Sequence, residues 1–283
     1  MTAVLTETVA PAVETKPEPA FTARQRQAAR DVSEAAVLWR LFLRLGWLDI
    51  RLRYRGSLLG PFWLTLSTAV MVGALGVLYS TLFKTNLHDY MPFLALSLVL
   101  WNSFIASIVS DACLAFLQAE GTIRSMRMPF TLHAARVVVR NLIVLAHNIP
   151  IILGVFAIFD VWPGWGALIA IPGLLLWIAD SLAACLLLGT FCARFRDIPP
   201  IVASIMQIAF FISPIIWKPE LVKNAAWMPL NPFFSLLEIV RLPLLGGTPS
   251  AIIWISAIGY SLLLAAAGWL LFARVRARLA FWV

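Results

Sequence analysis

RLRYRGSLLGPFW, residues 51–63, sets three arginines and a Gly-Pro step directly before a long apolar run. A guanidinium inside hydrocarbon is costly, so Arg51, Arg53 and Arg55 mark an edge where the chain meets water and lipid headgroups. Gly60-Pro61 then opens a helix, because proline is tolerated in a first turn, where its missing N–H would be unpaired anyway. The run that follows, about 62–83, holds no charged side chain until Lys84, and about twenty apolar residues are what a helix needs to cross a bilayer. The stretch is the junction between an interfacial segment and a first membrane span.

The rest of the chain repeats that pattern. Its 283 residues are 61% hydrophobic and only 13% charged, which no ordinary soluble domain of this length matches. The apolar runs lack strict alternation, which argues against a β-barrel. Six spans are expected, at about 62–83, 92–117, 138–159, 166–191, 199–217 and 250–273. The net charge of +8 reflects the accumulation of Lys and Arg on the cytoplasmic side and contact with anionic lipid, not nucleic acid. With the N-terminus inside, eighteen Lys and Arg fall in cytoplasmic segments and four outside. That ratio sets both termini in the cytoplasm. Residues 1–35 carry no apolar core of a signal peptide, and TKPEPA at 15–20 reads as part of a disordered cytoplasmic tail.

Two segments depart from a plain alternation of span and loop. In residues 36–55, Arg40, Arg44, Arg51 and Arg55 fall within an arc of about 60° at 100° per residue, against Leu, Ile, Phe and Trp on most of the remaining circumference. This is an N-terminal amphipathic interfacial helix. Gly46 is the place where it can bend, and Asp49 and Arg53 are spaced to pair. The second segment is the outer stretch 218–249, with NPFFSLLEIVRLPLLGG at 231–247. It is too short between Pro232 and Pro243 to cross and is interrupted by Glu238 and Arg241, so it reads as re-entrant or interfacial helices before the last span. Backbone at membrane depth survives only against protein or a water-filled cavity, so this stretch hints at a pathway. The fold class is thus an all-α polytopic membrane protein, with residues 56–283 as a single transmembrane domain.

Absences narrow the chemistry. There is no P-loop, no His-Glu-x-x-His and no carboxylate cluster. No catalytic residue, metal ligand or resident cofactor is read from the chain. Cys113, Cys185 and Cys192 are read as small buried apolar residues. His147 is placed for a polar contact between helices. Asp111 and Asp180 lie within spans with no basic residue beside them in the same span, and are read as packing or pathway-polarity groups more than proton carriers. Three basic constellations face the cytoplasm, at 51–63, 120–136 and 192–200. They are either generic cytoplasmic loops or a docking surface for a soluble subunit.

Four motifs carry a resemblance. Arg-x-Arg-Tyr-Arg-x-Ser-x-Leu-Gly-Pro-x-Trp precedes span one, Arg196-Asp197-Ile198 follows span four, Ser213 to Trp217 ends span five, and Asn231-Pro232-Phe233 leads to Glu238-x-x-Arg241 and Leu245-Gly246. In order and spacing, over about residues 36–275, the chain resembles the membrane (permease) subunit of bacterial polysaccharide ABC exporters of the O-antigen, capsule and teichoic-acid type. The resemblance implies six spans, a homodimer in the inner membrane, and two ATP-binding-cassette subunits that hold the ATP and Mg. It also implies a polyprenyl-pyrophosphate-linked glycan as cargo. On it, the ATPase contact falls to Arg40, Arg44, Glu120, Arg124, Arg127, Pro129, Arg196 and Asp197. Arg51, Arg53 and Arg55 would meet the lipid pyrophosphate at its entrance, as guanidinium forks match phosphate oxygens. The glycan pathway and gate would use Trp101, Phe210, Phe211, Trp217, Phe233, Phe234, Glu238 and Arg241, with aromatic faces for sugar rings. Two other classes stay open at this point: an ABC permease for another cargo, such as teichoic acid, capsule, lipid or drug, and a membrane enzyme acting on lipid-linked sugars.

Overall fold

A computed structural model describes residues 20–57, 60, 62–223 and 226–283. Pro61 and the first nineteen residues of the expected tail lie outside the described residues. The elements run α1 Ala20–Val37, α2 Trp39–Arg53, α3 Phe62–Leu82, α4 Leu87–Leu100, α5 Ala106–Cys113, α6 Glu120–Ser125, α7 Phe130–Ile158, α8 Ala170–Arg194, α9 Ile198–Ile212, α10 Pro232–Leu244 and α11 Ala251–Trp282. No strand occurs among the described residues.

Among the described residues, five helices are long and apolar enough to cross a membrane: Phe62–Leu82, Leu87–Cys113, Phe130–Ile158, Trp165–Arg194 and Ala251–Trp282. The expected fifth span, 199–217, holds a shorter apolar helix. It is α9, 15 residues long, which at 1.5 Å per residue reaches about 22 Å against a hydrocarbon core of about 30 Å. Pro199 and Pro200 sit in its first turn, where they cost no hydrogen bond, and the chain turns away at Ser213-Pro214. Only Met206 of α9 is buried.

The core is built around Leu87–Cys113, whose most apolar stretch is 72% buried. A π-helical turn at Trp101–Ile105 separates α4 from α5. Extra residues in a π turn shift the helical register, so that Trp101, Phe104 and Ile105 all face inward and are buried. Small residues allow close helix approach, as expected where lipid gives no hydrophobic drive. A Cβ on Gly268 of α11 would stand 2.8 Å from the carbonyl oxygen of Ala183 on α8.

Two expectations at the N-terminus are corrected. Residues 20–35 are not a disordered tail but form α1, docked against α7 and α11. Asp31 is fully buried and accepts from the Thr131 hydroxyl at 2.7 Å and from the backbone N–H groups of Phe130 and Thr131 at 3.1 and 2.8 Å. It therefore caps the N-terminus of α7 from another helix, where free N–H groups and the helix dipole favour an anion. Its second oxygen also receives Arg276 Nε at 2.7 Å. The amphipathic helix α2 runs uninterrupted through Gly46. A Cβ there would stand 2.7 Å from Val139 on α7, so glycine permits contact between α2 and α7. Asp49 does not pair with Arg53; it takes a two-pronged bond from Arg136 of α7, with Arg136 Nε at 2.7 Å.

Candidate functional site

On the side expected to face outward, α10 is assembled from its cap inward. Asn231 accepts from the N–H groups of Phe233 and Phe234 at 3.0 and 3.4 Å and donates to Ser213 Oγ at 2.9 Å. The cap thus starts α10 and ties it to the turn after α9. Three residues apart on one helical face, Glu238 and Arg241 form an ion pair buried at 3% and 1% exposure. Arg241 also donates to Ser97 Oγ at 2.8 Å and to the Pro214 carbonyl at 2.6 Å, and its guanidinium lies 4.4 Å from the ring centre of Phe93. Tyr90 donates to the Ile216 carbonyl. One arginine therefore fastens α10, α4 and the 213–217 turn together. Glu238 Oε2 has no hydrogen-bond partner among the described residues, and Glu238 lines a cavity of about 390 Å³ with His88, Phe93 and Lys218.

Four of the expected pathway aromatics come together. Trp101 meets Phe210 at 6.0 Å and Phe233 at 5.4 Å between ring centres, and Phe210 meets Phe211 edge-on at 5.2 Å. Trp217 joins through Nε1 to the Phe211 carbonyl at 3.2 Å. The cluster is graded: Trp101 is buried, Phe210 and Phe233 are half-buried, and Phe211 is 62% exposed. In this conformation Trp101 supports the rings above it, and Phe234 is buried, so neither offers a ring face to a passing molecule.

The opposite end gathers the basic constellations. Arg51, Arg53 and Arg55 are exposed, as are Arg40 and Arg44 on the same helix, with Arg40 5.2 Å over Trp39. On α6, Glu120 and Arg124 pair at 2.8 Å, and Arg124 also donates to the Val283 carbonyl at 2.6 and 3.2 Å. Arg194 stacks 5.8 Å over Trp282. The end of α11 therefore bridges the loop before α7 and the end of α8. Arg127, Arg196 and Asp197 are exposed, whereas Pro129 is buried at the start of α7.

A polar network that local spacing does not announce joins α5, the turn after it and α7. Asp111, which has no basic residue beside it in its own span, pairs across helices with Arg140 of α7 at 2.9 Å. Asn141 donates to Asp111 at 2.9 Å and accepts from Ser107 at 2.7 Å, and Arg140 donates to Gln118 at 3.2 Å. Pairing across helices leaves no mark in local spacing. Asp180 accepts from Ser261 of α11 at 2.8 Å, and His147 bonds its own helix at the Ile143 carbonyl, at 2.8 Å. The three cysteines are free and buried.

No family model matches the chain. It is similar to two curated proteins, each named O-antigen export system permease protein RfbA. The one from Myxococcus xanthus is 24% identical over 193 residues, covering 67% of this chain and 74% of the relative. The one from Klebsiella pneumoniae is 22% identical over 207 residues, covering 71% and 78%. The likeness to permeases of polysaccharide exporters therefore extends over about two thirds of the chain and is not confined to four motifs. Both names describe transport proteins rather than enzymes, and the five long apolar helices fit a multi-pass membrane protein.

Proposed function

We propose that this chain is the transmembrane subunit of an ABC exporter that moves a polyprenyl-pyrophosphate-linked, O-antigen-like polysaccharide outward across a bacterial inner membrane. Two copies form the pathway, and two separate ATPase subunits bind the cytoplasmic face and supply the energy. Both termini are cytoplasmic, and α9 with the 213–217 turn completes a sixth pass. The observation that carries the reading is the similarity to two O-antigen export permeases. The structure supports it physically. α9 exposes Ser204 and Gln207 in an otherwise apolar helix, and polar groups at membrane depth favour a protein or water-lined face over lipid. That face suits a second copy or a glycan path. Glu120, Arg124, Arg127, Arg40 and Arg44 suit an ATPase surface, and Arg51, Arg53 and Arg55 suit the entering pyrophosphate.

Deleting the gene in its native host tests the reading. Surface glycan should be lost, lipid-linked glycan should accumulate inside, and the wild-type gene should restore both. Unchanged surface glycan after deletion would refute it.

A further inference from the structure

Between α1 and α11 lies a groove of about 550 Å³ that the transport reading does not use. Its walls follow helical spacing. Phe21, Arg24 and Gln25 come from α1, and Ala267, Leu270, Leu271 and Arg274 from α11, offsets that put each set on one helix face. The groove is held open in a fixed shape. Gln25 accepts from Trp269 Nε1 at 2.5 Å, and Asp31 binds Arg276 at 2.7 Å about two turns further along. Those two contacts commit the neighbouring polar groups to each other. Arg24 and Arg274 differ: neither has a partner among the described residues.

The groove is also amphipathic along its length. Phe21 and Leu270 are 67% and 54% exposed, so its apolar part opens to the side, toward lipid. Arg274 is the first charge after the apolar stretch that begins α11 at Ala251. About twenty residues of helix cross the hydrocarbon, which sets Arg274 at headgroup depth. Two unpaired guanidinium groups thus line one groove, Arg274 at headgroup depth and Arg24 beside the Gln25–Trp269 contact. Basic pockets between helices at that depth select anionic headgroups, and a guanidinium matches two phosphate oxygens at once.

We propose that this groove is a binding site for an anionic phospholipid of the bilayer, with its phosphate between Arg24 and Arg274 and an acyl chain along Ala267, Leu270 and Leu271. The lipid would complete the seam that docks α1 onto the transmembrane domain.

The test uses the full-length protein in nanodiscs containing photoactivatable phosphatidylglycerol or phosphatidylcholine, with crosslinked peptides mapped by mass spectrometry. Phosphatidylglycerol should mark residues 21–25 and 267–274 about tenfold more than phosphatidylcholine, given the attraction of two arginines at the surface. Arg24→Gln with Arg274→Gln should abolish the excess, while Arg51→Gln with Arg53→Gln and Arg55→Gln should keep it. Equal marking by the two lipids, or an unchanged excess in the Arg24/Arg274 variant, would overturn the proposal. Displacement by inorganic phosphate would assign the site to a free anion instead, and displacement by an equimolar polyprenyl pyrophosphate would assign it to cargo. Either result would also overturn it. The outcome is independent of whether the protein exports glycan.

Discussion

The two ends of the molecule use charge in opposite ways. In the outer segment, Glu238 and Arg241 are both buried, lie three residues apart, and draw in Ser97, Phe93 and Pro214 around one guanidinium. At the inner end the bonds are long-range: Asp31 reaches α7 and α11, Asp49 reaches α7, and Arg124 reaches Val283. Around them stand Arg40, Arg44, Arg51, Arg53, Arg55 and Arg127, all exposed. The outer charges are consumed in holding one short helix at depth. The inner charges divide into bonds that staple helix to helix and a remainder left for contact with something else. On the proposed function, that division would suit an inner face that receives force from an ATPase and an outer segment that holds its shape until the helices beneath it move.

The comparison breaks most sharply at Arg241. Removing one partner of a buried ion pair leaves an uncompensated charge, at a cost of about 3–5 kcal/mol. Arg241→Leu should therefore lower the thermal midpoint of the detergent-purified protein strongly and abolish export. Pairing it with Glu238→Leu removes the orphan carboxylate, so the double variant should recover part of the midpoint lost by Arg241→Leu alone. If both variants matched the wild type in midpoint, α10 would not be fastened by this pair.

Asp31 is the inner counterpart, and the next largest effect. Asp31→Ala removes a cap from α7, a loss of about 1 kcal/mol, and also strips Arg276 of its anion. Hydrogen exchange should rise in residues 20–37 and at the start of α7 while α10 stays protected. A rise spread evenly over the chain would show that the two ends are not separate units.

How far this division was legible in the sequence depends on the range of the contact. The spans come from apolar run length, and four of them end within a few residues of expectation at one end or both. α10 was expected as a short helix because Pro232, Glu238, Arg241 and Pro243 interrupt an apolar run that could not cross. α1 was missed because a polar N-terminal stretch with prolines nearby resembles a tail. Its own residues, FTARQRQAARDVSEAAV, contain no Gly or Pro and several Ala and Arg, which favour helix, and that signal was available. The Arg140–Asp111 pair and the destinations of Asp31 and Asp49 were not legible, because each joins residues distant in the chain by a geometry that only packing decides. Shortness of α9 was hidden by the apolar turn that follows it: Pro214, Ile215, Ile216 and Trp217 extend the hydropathic run but not the helix.

A third and smaller effect tests the graded aromatic cluster. Phe211→Ala removes the exposed ring and leaves Trp101, Phe210 and Phe233 in contact. Stability should hold within about 0.5 kcal/mol, as for most surface substitutions, while surface glycan falls. Trp101→Ala should instead lower the thermal midpoint, because buried aromatic side chains cost about 3–5 kcal/mol to truncate. Equal export in Phe211→Ala and wild type would remove Phe211 from the pathway.

The smallest structural effect, and the cleanest division of roles, is expected at Arg40 and Arg44. Both are exposed on α2, whose hold on α7 runs through Gly46 and Asp49 on other positions of the helix. Arg40→Gln with Arg44→Gln should leave the thermal midpoint unchanged, since neither arginine has an ion-pair partner among the described residues. If these arginines face an ATPase subunit, the variant should copurify less of that subunit, and raising salt should weaken the wild-type complex toward the variant's level, because exposed charges are screened. Asp49→Asn makes the opposite test on the same helix. It loosens α2 from α7 and lowers the midpoint, yet it leaves both arginines in place. Should the two variants lose the ATPase subunit equally while only Asp49→Asn loses stability, the surface needs both the charges and their rigid seat. Should neither lose it, the exposed inner charges serve the membrane surface alone, and the difference between the two ends reduces to one between a clamp and an anchor.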